Sequence, residues 1–249
     1  ITKELISPRS IVVVGGSQDL HKPGGNVLNN LIETGYKGKL YVVNPKADII
    51  QGIKCHKSIE ELPQVDLAIL SIPAAMCPGS VDTLCSKKGC KAVIVFSAGF
   101  HEDGPEGAAL EEELVAITNR NGATLIGPNC IGVMTPGYAG VFTKPIPSLD
   151  PLGVDIISGS GATAVFIMEA SMQLGLRFSS LFSVGNSAST GVEEVLEYMD
   201  NTYQHGKSSP VKMLYIESIS KPEKLYKHAR SLVGKGASIA AVKSGYSEA

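Results

Sequence analysis

The sequence predicts an α/β protein made of two consecutive, mostly parallel sheets, and three observations predict it. Short apolar runs such as "SIVVVGG" and "VDLAILSIP" alternate with longer amphipathic stretches, the pattern of a sheet covered by helices on both faces. The alternation lapses between Met134 and Leu152, where "MTPGYAGVFTKPIPSLDPL" carries four prolines and no helical period, and then it restarts. Each half also opens on a strand that runs into a small-residue turn and a helix: "IVVVGGSQ" in the first, "IISGSGATAVFIMEA" in the second.

In order, "SIVVVGG" reads as a buried strand closing on glycines, and "GGNVLNNLIETG" as a helix stopped by Gly35. "GKLYVVNPK" is a second strand. "SIEELPQ" gives a short helix in which Ser58 caps the start and Glu61 follows three residues on. "VDLAILSIP" is a strand, "PGSVDTLCSKKG" a helix and "CKAVIVFSAGF" a strand. "PEGAALEEELVAITNRNG" has apolar spacing of three and four and ends at Asn121-Gly122; "ATLIGPN" is the fifth strand. The proline-rich stretch marks the boundary, giving domains 1–140 and 141–249. The second half then reads strand "GVDIIS", helix "ATAVFIMEASMQLG", strand "FSSLFSV" and helix "TGVEEVLEYMDN". Strand "VKMLYIES", helix "KPEKLYKHARSLVG" and strand "ASIAAVKSG" complete a smaller sheet.

Composition narrows the function. At 249 residues with 43% hydrophobic and 18% charged residues, this is an ordinary folded chain. A net charge of −2 gives no electrostatic case for nucleic acid or an anionic membrane surface, and no apolar run is long enough to span a bilayer. Five cysteines without CxxC pairing predict neither a disulfide framework nor a metal site, and fit a reducing cytoplasm.

Strand-to-helix turns at the carboxyl ends of parallel strands are where such sheets bind ligands. Gly15 and Gly16 let backbone approach a phosphate and Ser17 adds a hydroxyl donor. The dinucleotide fingerprint G-x-G-x-x-G is not met, because Ser17 stands at its third position. Where a nicotinamide site carries an acid at the end of the second strand, this chain has Asn44, Pro45 and Lys46. An ammonium there attracts phosphate, as on coenzyme A; NADP stays open, and the plain alternative is a solvated lysine. "SIPAA", "FSAGF" and "GPNCIG" end the neighbouring strands in small or turn-forming residues and line the same rim.

The segments "GPNCIGVMTP", "VNPK", "SIPA" and "FSAGF", with the "SAGF" and "KSGYSEA" variants, resemble the nucleoside-diphosphate-forming acyl-CoA synthetases. The likeness is to their ADP-forming acetate–CoA ligase branch more than to succinyl-CoA synthetase. It implies a Rossmann-like CoA-binding domain followed by a smaller flavodoxin-like, succinyl-CoA synthetase-like domain. It also implies CoA contacts from Gly15, Gly16, Ser17, Gln18, Pro45, Lys46, Ile72, Pro73, Phe96, Ser97, Ala98, Gly99, Asn129 and Cys130. Mg²⁺ and ADP or ATP are expected on a partner ATP-grasp domain or subunit, and the assembly is expected to be an oligomer. A CoA-sensing module without catalysis, as fused to acetyltransferases, is the runner-up; an NADP-dependent reductase is third.

In the second half, Ser158, Gly159, Ser160 and Gly161 follow a strand and open a helix whose first amides attract an anion. A simple N-cap is the plain alternative. The resemblance implies that this turn holds the phosphate of a phosphohistidine, and that Glu217, in "YIESI", orients that histidine. "SVGNS" is expected to add donors, although the acidic residue common after it in the family is replaced by Ser187-Ala188-Ser189-Thr190. The histidine itself is expected past residue 249. His21, His56, His101, His205 and His228 read as structural or solvated, His228 on an exposed-looking helix.

Overall fold

The computed structural model describes residues 1–245. The last four residues of "KSGYSEA" lie outside the described residues. The first sheet holds β1 (Ser10–Val14), β2 (Lys39–Val43), β3 (Ile49–Ile50), β4 (Ile53–His56), β5 (Leu67–Leu70), β6 (Ala92–Val95) and β7 (Thr124–Ile126). Their spatial order is β3-β4-β2-β1-β5-β6-β7. β4, β2, β1, β5, β6 and β7 run parallel, and only the two-residue β3 is antiparallel, to β4. Strands β1, β5 and β6 are buried along their whole length, which is why they read as unbroken apolar runs. Chain order reverses at β1: β2 lies to one side, β5 to the other. This is the Rossmann-like arrangement, and its crevice opens at the carboxyl end of β1.

Helices α2 (Pro23–Glu33), α3 (Cys77–Lys87) and α4 (Pro105–Arg120) cover the sheet; a short α1 (Lys3–Ile6) precedes it. Each of the three starts with proline in its first turn, where a missing N–H costs nothing. The expected cap at Ser58 takes a different form. Residues 59–61 make one tight turn without a side-chain cap bond from Ser58, and Glu61 Oε2 accepts the Lys57 amide at 2.9 Å instead.

The second sheet has the order β13-β12-β10-β11-β8-β9. β10 (Leu149–Ser158), β11 (Phe178–Ser183), β12 (Val211–Ile216) and β13 (Ser238–Lys243) are parallel, joined by α5 (Gly161–Gln173), α6 (Val192–Thr202) and α7 (Pro222–Gly234). Taken in chain order these four strands lie 4-3-1-2, the flavodoxin-like order, with the reversal at β10. The stretch expected as a boundary holds the hairpin β8 (Gly132–Thr135) and β9 (Tyr138–Val141), which joins the second sheet antiparallel to β11. Sheet membership therefore changes between β7 and β8.

The halves share packing. One apolar cluster includes Leu5, Ile11, Leu28 and Phe96 from the first half and Tyr138, Ile157, Phe182 and Leu196 from the second. Asn30 on α2 donates to the Val141 and Thr143 carbonyls at 2.7 and 3.0 Å, and Tyr138 Oη donates to the Leu5 carbonyl at 2.8 Å. Phe96 packs edge-on against Phe142 at 4.8 Å between ring centres. His228 is structural, but on a helix that is not exposed at that position: it is only 4% exposed, with Nδ1 2.8 Å from Asp200 Oδ2. Its helix looks polar because charged neighbours flank the two buried positions, His228 and Leu232.

Candidate functional site

The turn after β1 is built by close approach. Gly15 has φ +85, and a Cβ there would fall onto the Ser71 carbonyl oxygen at the end of β5. A Cβ on Gly24 would fall onto the Gly15 oxygen, and one on Gly25 onto the Asp19 oxygen. Gly16 faces the Val42 side chain. The glycines thus let α2 begin directly against the strand ends, as a phosphate-binding turn requires. Asn44 Nδ2 donates to the Gly16 carbonyl at 2.9 Å while its Oδ1 accepts the Lys46 amide at 2.8 Å. That side chain closes the "NPK" corner and leaves Pro45 and Lys46 exposed.

Gln51 was not among the expected residues. From the β3–β4 turn its Nε2 donates to the Ser17 and Gly25 carbonyls at 2.9 and 2.8 Å, and its amide donates to Gln18 Oε1 at 2.8 Å. It fixes the Ser17–Gln18 loop from outside. The "QG" pair was a turn signal, but nothing local says where the side chain reaches.

Pro23, Ser71, Ile72, Pro73, Phe96, Ser97 and Ala98 line a cleft of about 330 Å³. The structure thereby brings the "SIPA" and "FSA" loops together, and the Ser97 hydroxyl donates to the Ile72 carbonyl across them. The Asn129 amide donates to the Ser97 carbonyl at 3.0 Å, drawing the "PNC" segment to the same rim. Cys130 turns inward: its thiol donates to the Val95 carbonyl at 3.4 Å, and burial pushes its pKa up to about 12. Only its backbone is available at the rim. A larger cleft, about 470 Å³, lies between Thr34–Lys37 and the β8–β9 hairpin and contains none of these residues.

At the second sheet's reversal, Ser158 is fully buried and its hydroxyl donates to the Ser160 carbonyl at 2.7 Å. Ser160 caps α5, its Oγ accepting the Thr163 amide at 3.3 Å and the Thr163 hydroxyl at 3.0 Å. Both serine hydroxyls therefore shape the turn, and the Gly161 and Ala162 amides are first-turn donors that have no acceptor within the helix. Glu217 at the end of β12 packs on this turn; a Cβ on Gly159 would meet its Cβ at 3.4 Å and its Cγ at 3.5 Å. Two acids at the start of α6 hold the segment behind it. Glu193 Oε1 accepts the Ser220 and Lys221 amides at 2.8 and 2.9 Å, and Glu194 takes the Lys221 ammonium at 2.7 Å.

The two rims meet at the loop after β11. Gly185, at φ +56, lies so close that a Cβ would fall onto the Pro128 carbonyl oxygen. The Asn186 amide donates to that oxygen at 3.0 Å and the Ala188 amide to the Gly127 carbonyl at 3.3 Å. "SVGNS" thus works as a joint with the "GPNC" segment. Its polar side chain reaches Glu102, Glu111 and Asn129. Burial raises the Glu102 carboxyl, but hydrogen bonds from Asn186 and from the Gly99 and Phe100 amides outweigh it and hold it below its ordinary value. Among the described residues no group of three His, Cys, Asp or Glu is arranged to hold a metal ion.

Comparison with known proteins agrees with this geometry. Residues 9–136 match the CoA binding domain and residues 151–249 the succinyl-CoA ligase-like flavodoxin domain. The chain is 34% identical over 249 residues to acetate–CoA ligase [ADP-forming] I of Archaeoglobus fulgidus, covering 99% of this chain and 35% of that protein. It is 37% identical over 244 residues to acetate–CoA ligase [ADP-forming] II subunit alpha of Pyrococcus furiosus, covering 97% of this chain and 51% of the subunit. A solved structure of the dinucleotide forming acetyl-coenzyme A synthetase 1 of Ca. Korarchaeum cryptofilum, in complex with phosphate and ADP, superposes with a TM-score of 0.88 at 32% identity. That superposition covers 99% of this chain and 52% of the other. The chain thus spans between a third and about half of these relatives. It belongs to the CoA binding domain family, with a succinyl-CoA ligase-like flavodoxin domain as its second half.

Proposed function

We propose that this chain is the CoA-binding and phosphoryl-handling part of an ADP-forming acyl-CoA synthetase, with acetyl-CoA as the acyl-CoA. The reaction exchanges acyl-CoA, phosphate and ADP for acid, CoA and ATP. The observation that carries the reading is the placement of the two turns. Each opens at its sheet's reversal point, and the Asn186 joint holds their rims against each other.

In this reading Gly15–Gln18, Pro45 and Lys46 hold the nucleotide end of CoA, and the cleft at Ile72, Pro73 and Phe96–Gly99 directs its thiol arm toward the second domain. Asn129 and the Cys130 backbone close the rim. Phosphate attacks the thioester carbonyl; the C–S bond breaks, giving acyl phosphate and CoA thiolate. A histidine then takes the phosphoryl group, releasing the carboxylate, and passes it to ADP. The Gly161 and Ala162 amides oppose the phosphoryl oxygens with positive dipole, which matters most where charge develops. Glu217 holds one ring nitrogen of the histidine so that the other is the nucleophile.

That histidine is assigned to polypeptide beyond residue 249. Of the five present, His228 is buried against Asp200 and His205 lies beside Gly236, after α7. The nucleotide and Mg²⁺ belong to an ATP-grasp domain or subunit, and we place the assembly, an oligomer, in the cytoplasm, which suits five free, buried cysteines. No helix among the described residues is long and apolar enough to cross a membrane.

Calorimetric titration of the 249-residue chain should give micromolar binding of CoA and none of NADP. The complete enzyme should form ATP from acetyl-CoA, phosphate, Mg²⁺ and ADP. Absence of CoA binding overturns the proposal; binding without turnover in the complete protein replaces it by a CoA-sensing role.

A further inference from the structure

One side chain of the second domain reaches two of the candidate CoA loops of the first, Asn129 directly and Gly99 through Glu102. Asn186 sits in the loop after β11, and its Nδ2 donates to Glu102 Oε2 at 2.5 Å and to Glu111 Oε2 at 2.8 Å. Its Oδ1 accepts from Asn129 Nδ2 at 3.4 Å. The other oxygen of Glu102 is turned into the cleft loop, where it accepts the Gly99 amide at 2.8 Å and the Phe100 amide at 3.3 Å. Glu111 also accepts the His101 amide, at 3.4 Å.

The chemistry at this point is restrictive. Two carboxylates converge on one nitrogen, so the group between them must offer two N–H bonds and bring no negative charge. A primary amide does both. An aspartate of the same size would donate nothing and repel both partners, and an alanine would leave the two carboxylates facing each other. Backbone alone already docks the loops through Gly185, Asn186 and Ala188, so the side chain is not needed merely to join the domains. What it adds is a hold on Glu102, and through Glu102 on the amides of Gly99 and Phe100.

We propose that Asn186 is a positioning residue for CoA: through Glu102 it sets the Phe96–Gly99 rim of the cleft from the phosphoryl-handling domain. The inference rests on the functional reading above for its ligand, but its geometry can be read without one. Binding energy spent on that rim is thereby tied to the placement of the second domain, which brings the thiol end and the phosphate turn into register.

The test compares wild type, Asn186→Asp and the double variant N186D/E102Q. Two readouts are taken: amide hydrogen exchange at Gly99 and Phe100, and CoA affinity by calorimetry. In N186D, exchange at both amides should rise, and CoA affinity fall, by about tenfold or more. In the double variant the new side-chain amide at position 102 donates to the new carboxylate at position 186. Its carbonyl oxygen still accepts from the Gly99 and Phe100 amides, while Glu111 swings into solvent. Both readouts should return to within about threefold of wild type, a rescue that a general loss of packing cannot give. If N186D proves unfolded by its melting curve, Asn186→Ala is read the same way for the losses. Unchanged exchange at Gly99 and Phe100 overturns the inference, as does a loss that adding E102Q does not repair. If wild type fails to bind CoA while the exchange pattern appears and is rescued, the functional reading falls with the CoA role, and only the hold of Asn186 on the Gly99–Phe100 amides stands.

Discussion

Among the described residues Lys46 is held through its backbone, its amide bonding to Asn44, and its side chain is exposed. A charge so placed contributes when an anion arrives and little before. Lys46→Glu should therefore weaken CoA binding about tenfold or more in calorimetry and leave the thermal midpoint within a degree or so. Unchanged affinity removes Lys46 from the site. Residue identity at strand ends was legible because small and turn-forming residues stand out after apolar runs. The direction of each side chain was not. Ser158 and Cys130 look like ligand contacts in the sequence, yet one hydroxyl is used inside the turn and the thiol points into the core. Gln51 and Glu102 were missed because their partners lie 33 and 84 residues away and no local pattern announces them; Asn186 was expected as a donor, but not that it would donate to acids of the first domain. The buried pair Asp155–Lys212 is an intermediate case. Each interrupts an apolar strand, which was visible, but only the β10–β12 register sets them side by side.

At the scale of elements, α5 shows how a cap and a site share residues. Ser160 closes the first turn, and its loss in Ser160→Ala should lower the stability of the chain by about 1 kcal/mol in urea unfolding. Phosphoryl transfer in the complete enzyme should fall as well, since the same bond aims the Gly161 and Ala162 amides; equal stability in the variant would remove the cap from the account. The helix buries Ala164 and Met168 while leaving Phe166 71% exposed, and Leu174 just past its end is 84% exposed, so its sequence has no single apolar face. It was found from its flanking turns and its length, not from periodicity. The helices of eleven residues or more and the apolar strands flanked by them were legible, whereas the short β4 was not. The hairpin β8–β9 was not, because two four-residue strands beside prolines carry too little pattern to outweigh the turn signals.

For the whole molecule, the order of two α/β units was legible because the alternation stops and restarts; how their edges face each other was not. That arrangement depends on contacts between distant segments, among them Asn30 with the β9 strand and Asn186 with the "GPNC" turn. Charge placement adds a property of the assembled chain. Asp66, Glu102, Glu194 and Asp200 are each raised by burial, but this is outweighed by Arg9, by Asn186, by Lys221 and by Lys235 respectively, leaving all four lowered. A carboxylate lowered by folding contributes stability above its unfolded value, 3.8 for Asp and 4.5 for Glu, and that contribution disappears as pH falls through the folded value. Urea midpoints should accordingly be flat from neutral pH to about 5 and decline steeply below about 4. A midpoint independent of pH down to about 3 would show that these acids are not bonded as described.

The contact of Gly185 with the Pro128 oxygen leaves no room for even one methyl group. Any side chain at position 185 would act as a wedge, prying the turn after β11 off the "GPNC" segment and parting the two lobes at their shared edge.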